Sequence, residues 1–121
     1  MGRVLARRGE EISWQEGREV EINGKKQWGL RTRRYFAPTV DPVYFNRVNY
    51  AAGYTEPPHS HTVDEIIYIM EGELQVGDTR YIAGDTLWIE ANTVYGPLTA
   101  GPQGMTFLLI RNAPAEYVPS T

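Results

Sequence analysis

Hydrophobic positions in this chain come in short runs rich in Val, Ile, Tyr, Phe and Trp, broken at close intervals by glycine and proline. That pattern belongs to strands, whose side chains alternate between two faces. No segment of helical length carries a 3.6-residue period, and there is no internal repeat. The predicted elements are therefore all β. Glu19 to Ile22 and Lys26 to Tyr35 flank Asn23-Gly24 and read as a hairpin, because Asn-Gly suits the positive-φ positions of a type I′ turn. Ala37-Pro38 and Asp41-Pro42 bracket a turn, and Val43 to Ala51 reads as the next strand. Pro57-Pro58 hold the chain extended into a strand that carries His59 and His61. Glu65 to Met70 is mostly apolar and reads as a strand covered on both faces. Glu73 to Val76, a Gly77-Asp78 turn and Thr79 to Ile82 make a second hairpin. Thr86 to Glu90 and Met105 to Arg111 are two further strands, and Ala113 to Thr121 reads as an irregular tail. This order suits a small barrel or double-sheet jelly roll, whose mouth is a natural place for a ligand or metal.

At 121 residues the chain makes one domain. Its core spans residues 43–112, after an N-terminal hairpin segment (1–42) and before the tail (113–121). A net charge of −3 argues against nucleic acid or an anionic membrane as the main partner. The basic residues Arg3, Arg7, Arg8, Arg31, Arg33 and Arg34 read as solvated faces. The absence of cysteine removes disulfides, thiolate ligands and cysteine nucleophiles together. No stretch approaches the roughly 20 apolar residues that span a bilayer, and the N-terminus lacks a signal-peptide core, so a cytoplasmic location is expected.

The chemistry concentrates in Gly53-Tyr-Thr-Glu-Pro-Pro-His59-Ser-His61-Thr-Val-Asp-Glu65, closed by Gly72. It holds the only two histidines of the chain. On a strand, His59 and His61 share a face, and a carboxylate follows four residues later. Two imidazoles and one carboxylate form a metal-ligand set with open positions. Asp64 has the opposite strand parity to Glu65 and reads as solvated. Gly53 and Gly72 read as turn residues.

The spacing Gly-x5-His-x-His-x3-Glu-x6-Gly resembles the first signature motif of the cupin superfamily and matches it at every fixed position. The resemblance covers roughly Val43 to Arg111 and implies a double-stranded β-helix, or jelly-roll, barrel with a divalent metal (Fe, Mn, Ni or Zn) bound inside. It also implies a homodimer, for which the segment before Val43, with Trp14 and Trp28 as exposed aromatics, is the expected interface. The second cupin motif opens correctly at Gly84, then departs. Glu90 stands at the proline position, Asn92 at the glycine, Thr99 at the asparagine, and Tyr95 at the ligand histidine. Asn92 is a mild change, because asparagine tolerates the left-handed backbone. Tyr95 exchanges a nitrogen ligand for a phenol. It either ligates the metal, stands beside it as an undissociated phenol that orients substrate or water, or packs against Trp88 or Phe107. Glu90 reads as a solvent-facing strand end.

Metal ligands are thus expected at His59, His61, Glu65 and Tyr95, with Glu65 and Tyr95 as catalytic groups. Ile67, Ile69, Leu87, Ile89 and Phe107 form the core, some of them lining the cavity. On Val43 to Ala51, either Tyr44, Asn46, Val48 and Tyr50 turn inward, or Phe45, Arg47 and Asn49 do; in the second case Arg47 would meet an anionic substrate. The resemblance implies a metal-dependent dioxygenase, isomerase or polyketide-cyclase-like enzyme acting on a small aromatic or enolisable molecule. The alternative from another class is a non-catalytic module that binds a small ligand or metal.

Overall fold

A computed structural model of the chain describes residues 2–37, 41 and 43–120. Among these the secondary structure is β throughout, apart from one 3-10 turn at Gly9–Glu11. The strands are β1 (Gln15–Glu16), β2 (Glu19–Ile22), β3 (Lys25–Trp28), β4 (Leu30–Phe36), β5 (Tyr44–Tyr50), β6 (Thr55–Glu56), β7 (His59–His61), β8 (Glu65–Val76), β9 (Thr79–Ile82), β10 (Thr86–Ile89), β11 (Leu98–Arg111) and β12 (Tyr117–Pro119). The main sheet runs β1-β4-β5-β11-β8-β10, with β6 added on β11 and β9 on β8. Two small ribbons, β2-β3 and β7-β12, complete the jelly roll. Among the described residues no helix is long and apolar enough to cross a membrane.

Local chemistry explains most of these elements. Asn23 and Gly24 take φ of 52° and 78°, as the type I′ turn between β2 and β3 requires. The expected strand from Lys26 to Tyr35 is broken at Gly29, where β3 hands over to β4. A Cβ on Gly29 would lie 2.3 Å from the Tyr54 ring, so this buried position accepts only glycine. The turn around Ala37-Pro38 and Asp41-Pro42 lies partly outside the described residues; within them, the Asp41 amide donates to the Ala37 carbonyl at 2.7 Å.

Several expectations are corrected. Glu65 to Met70 is covered on one face only: Ile67 and Ile69 are buried, while Ile66 and Tyr68 are exposed. The strand continues to Val76, so Gly72 sits inside β8 and not at a turn. There its φ is 78°, and a Cβ would come within 2.2 Å of the Gly104 carbonyl oxygen, where β11 bulges past. β11 begins seven residues earlier than Met105. The tail is ordered: Tyr117 to Pro119 pairs with His61 to His59. Trp14 and Trp28 are half-buried, with the Arg31 guanidinium 4.7 Å from each ring, so they are not the exposed aromatics expected. Asp64 is exposed but engaged, accepting from the Ala91 amide at 2.7 Å.

The core sits between the main sheet and the small ribbons. On β5 the inward face is Tyr44, Asn46, Val48 and Tyr50, which leaves Arg47 outside. Val48, Tyr50, Ile67, Ile69, Leu74, Leu98, Met105 and Phe107 fill the interior, and Tyr50 meets both Tyr54 and Phe107 edge to face. Leu87 is only partly buried and packs on this cluster from β10.

Candidate functional site

A cavity of about 170 Å³ opens inside the barrel. His59, His61, Glu65, Tyr95 and Arg111 line it together with apolar residues such as Val48, Ile67 and Phe107. Each polar group arrives by a separate structural device. β7 is a three-residue strand, so His59 and His61 emerge on one side with ring centroids 4.8 Å apart. His59 is 4% exposed. Its Nδ1 donates to the Pro57 carbonyl at 2.8 Å, the tautomer that leaves Nε2 with a free lone pair.

Tyr95 reaches the same place through its backbone. It forms an isolated antiparallel bridge with His59, each amide donating to the other's carbonyl at 3.1 and 2.9 Å. Asn92, at φ 65°, supplies the left-handed turn that brings the chain back, and its amide donates to the His61 carbonyl at 2.7 Å. The Tyr95 hydroxyl donates to Glu65 Oε1. Trp88 stands 69% exposed on the outer face, so packing against it is not what places Tyr95.

Glu65 and Arg111 are direct cross-strand neighbours at the ends of β8 and β11. The same row continues to Tyr44 on β5 and Ile89 on β10. Arg111 Nε and Nη2 each lie 2.9 Å from Glu65 Oε2, with Nη2 also 3.4 Å from His61 Nε2. The guanidinium carbon sits 4.9 Å from the Tyr44 ring centre. Sequence reading placed Arg111 only at a strand end. Its signal was strand parity: Phe107, Leu109 and Arg111 share a face, and Phe107 was read as core.

The rim carries two groups that sequence reading also missed. Tyr117 stacks on His59, centroids 4.5 Å apart and planes 22° apart, and donates to Glu56 Oε1 at 2.9 Å. Tyr54 donates to the other Glu56 oxygen. No local pattern marks Tyr117, because only pairing with β7 brings it there. Glu90 is exposed at the end of β10, as expected.

Burial sets the electrostatics. The His61 pKa is lowered, mainly by desolvation against the opposing pull of Glu65, which favours the neutral imidazole. The Tyr95 pKa is raised well above that of a free phenol, first by burial and then by the Glu65 charge, so Tyr95 is an undissociated donor. Both amide atoms of Asn46 are buried without a hydrogen-bond partner among the described residues.

The structure brings together all four sequence-predicted site residues, His59, His61, Glu65 and Tyr95. Among the described residues no three His, Asp or Glu side chains are posed as a ready ligand cluster. The reason is Glu65, whose oxygens face Arg111 and Tyr95; its Oε2 is 3.9 Å from His61 Nε2. By chemistry the donors nonetheless fit a first-row cation. His59 is oriented through Nδ1, His61 is favoured neutral, and the Glu65 carboxylate lies beside His61 in the same cavity.

The cupin domain model matches residues 46–111, which run from within β5 to the end of β11 and include His59, His61, Glu65, Tyr95 and Arg111. Nectarin-1 of Nicotiana plumbaginifolia is 33% identical over 79 residues, 63% of this chain and 33% of that protein. The chain thus spans about a third or less of the curated relatives it matches. Among solved structures, the polyketide cyclase RemF from Streptomyces resistomycificus aligns with a TM-score of 0.75 at 18% identity, covering 100% of this chain and 86% of that one. An RmlC-like cupin from Shewanella frigidimarina aligns with a TM-score of 0.65 at 20% identity, covering 88% and 89%. At these identities the two structures speak for the fold. With the motif spacing, the jelly-roll topology and the matched domain in agreement, this chain belongs to the cupin superfamily.

Proposed function

We propose that the protein is a metal-dependent enzyme acting on a small aromatic or enolisable molecule, in the manner of a cupin dioxygenase, isomerase or polyketide cyclase. The observation that carries this reading is the convergence of His59, His61, Glu65 and Tyr95 on one largely apolar cavity. His59, His61 and Glu65 would hold the ion. When bound, an iron, manganese, nickel or zinc ion supplies Lewis acidity or, for redox-active metals, an oxygen-binding centre.

The chain's own groups then have distinct tasks. Tyr95, kept protonated by burial and by Glu65, donates its one proton to Glu65 and leaves the phenolic oxygen to accept a hydrogen bond from substrate or water. Glu65 accepts that proton's hydrogen bond at Oε1 and serves as the nearest base. Phe107, Ile67 and Val48 exclude water and pack against a flat substrate. The stack of Tyr117 on His59 restrains the imidazole from the solvent side.

The Glu65–Arg111 pair favours a second reading, a cupin module that binds a ligand without metal or turnover. Elemental analysis of protein purified without chelator separates the two. About one divalent ion per chain is expected, followed by oxygen uptake or product formation with catechols, flavonols or 1,3-diketones. Absence of metal, with no thermal shift on adding iron, manganese, nickel or zinc, counts against the enzyme reading.

A further inference from the structure

Naming the substrate class of the metal-dependent reading on which it rests, we propose that the cavity takes an anionic substrate, a carboxylate or enolate, held by Arg111. Guanidinium groups carry five donors in a fixed fork. In this one Nε and Nη2 serve Glu65, while Nη1 has no hydrogen-bond partner among the described residues. The side chain nevertheless lines the cavity beside His61, with only 10% of its surface exposed. A buried guanidinium with donors to spare suits an oxyanion, because charge-assisted bonds to carboxylate-like oxygens are the strong ones.

Charge balance leads to the same class. Glu65 and Arg111 cancel each other, and histidines ligate as neutral imidazoles. With Glu56 at the rim as the remaining charged group of the lining, the two charges of a divalent ion would be only half balanced, in surroundings where Coulomb terms are large. Tyr95 does not offset them, since its hydroxyl is a donor to Glu65. The missing negative charge has to arrive with the substrate. Asn46 adds unpaired polar atoms close to this end of the barrel, though it does not itself line the cavity. It is 0% exposed on the inner face of β5, two residues from the Tyr44 that underlies Arg111, and neither of its amide atoms has a partner among the described residues.

The test is calorimetric titration of the full chain with salicylate and with salicylamide, its neutral counterpart. Both are run on metal-free protein and on protein loaded with zinc and dialysed. Salicylate is expected to bind at least about ten-fold more tightly than salicylamide to either form, with Arg111→Gln losing that preference and Arg111→Lys keeping part of it. Equal binding of the two probes, no salicylate binding up to about 10 mM, or a preference that survives Arg111→Gln overturns the proposal. Because Arg111→Gln leaves Glu65 unpaired, the double variant Glu65→Gln/Arg111→Gln stands in if the single one does not fold, and it too must lose the preference. Protein that takes up no zinc but keeps an Arg111-dependent preference overturns the metal reading and leaves this inference standing. Protein that binds zinc without distinguishing the probes does the reverse.

Discussion

Arg111 holds Glu65 through a single carboxylate oxygen: Nε and Nη2 both lie 2.9 Å from Oε2, and Oε1 is left to Tyr95. The motif glutamate is therefore tied to two partners that the motif does not contain. Its environment in this chain is that of a buried ion pair as much as of a ligand.

Breaking that pair is expected to cost more than deleting it. Arg111→Gln and Glu65→Gln each leave one buried charge alone and are predicted to destabilise the fold by about 3–5 kcal/mol. The double variant should lose clearly less than the sum. Urea unfolding of the four proteins measures the coupling, and additive losses would show that the pair is not energetically linked.

Metal affinity should depend on the two imidazoles. His61→Ala is expected to abolish binding of zinc, nickel or manganese, because two remaining protein ligands seldom hold such an ion against water. Inductively coupled plasma analysis of wild type and variant checks this. Full metal content in His61→Ala would remove His61 from the ligand set.

Tyr95→Phe should leave metal content unchanged and lower turnover by roughly 10²-fold, the scale of one positioned proton donor. With iron(III) bound, no phenolate charge-transfer band is expected in the wild type, since the Tyr95 hydroxyl donates to Glu65. A pH effect follows as well. The folded-state pKa of Tyr95 is raised above that of the unfolded chain, so its contribution to stability is complete below about pH 10. It is lost as pH rises further, because the unfolded phenol releases its proton first. Between about pH 9 and 11 the wild type should lose more stability than Tyr95→Phe, as urea titrations at both pH values would report.

Asn46→Leu is predicted to stabilise the fold by about 1–3 kcal/mol, since it keeps the branching and removes two buried polar atoms without partners. Thermal and urea unfolding give the sign. A destabilised variant would mean that the amide is satisfied in solution.

We propose that the protein is a homodimer, and the surface favours the outer face of the main sheet over the N-terminal segment. There Trp88 aligns with Ile66, Ile110 and Phe45 across four strands, and Trp88 is 69% exposed. Light scattering at micromolar concentration should give a dimer mass, with Trp88→Asp shifting it to monomer. A monomeric wild type would refute dimerisation, and a dimer indifferent to Trp88→Asp would refute this face.

Much of the architecture was legible in the chain because its causes are local. Asn23-Gly24 dictates its own turn, alternation marks β5 and β8, and the fixed spacing from Gly53 to Gly72 carries the histidines and Glu65 into one site. Tyr95 could be placed at the site from its motif position, and tertiary contact with Glu65 decided its state as a donor. What the chain alone did not reveal depends on pairing between distant segments. Arg111 meets Glu65 only because β11 lies beside β8 in one register, and a slip of one residue would turn it to the outer face. The tail carries no strand pattern of its own; Tyr117 covers His59 because β7 offers it free backbone groups. Likewise, which face of β5 turned inward was undecidable from alternation, since both faces carry polar residues. Only the closed barrel buried Asn46 and left Arg47 outside.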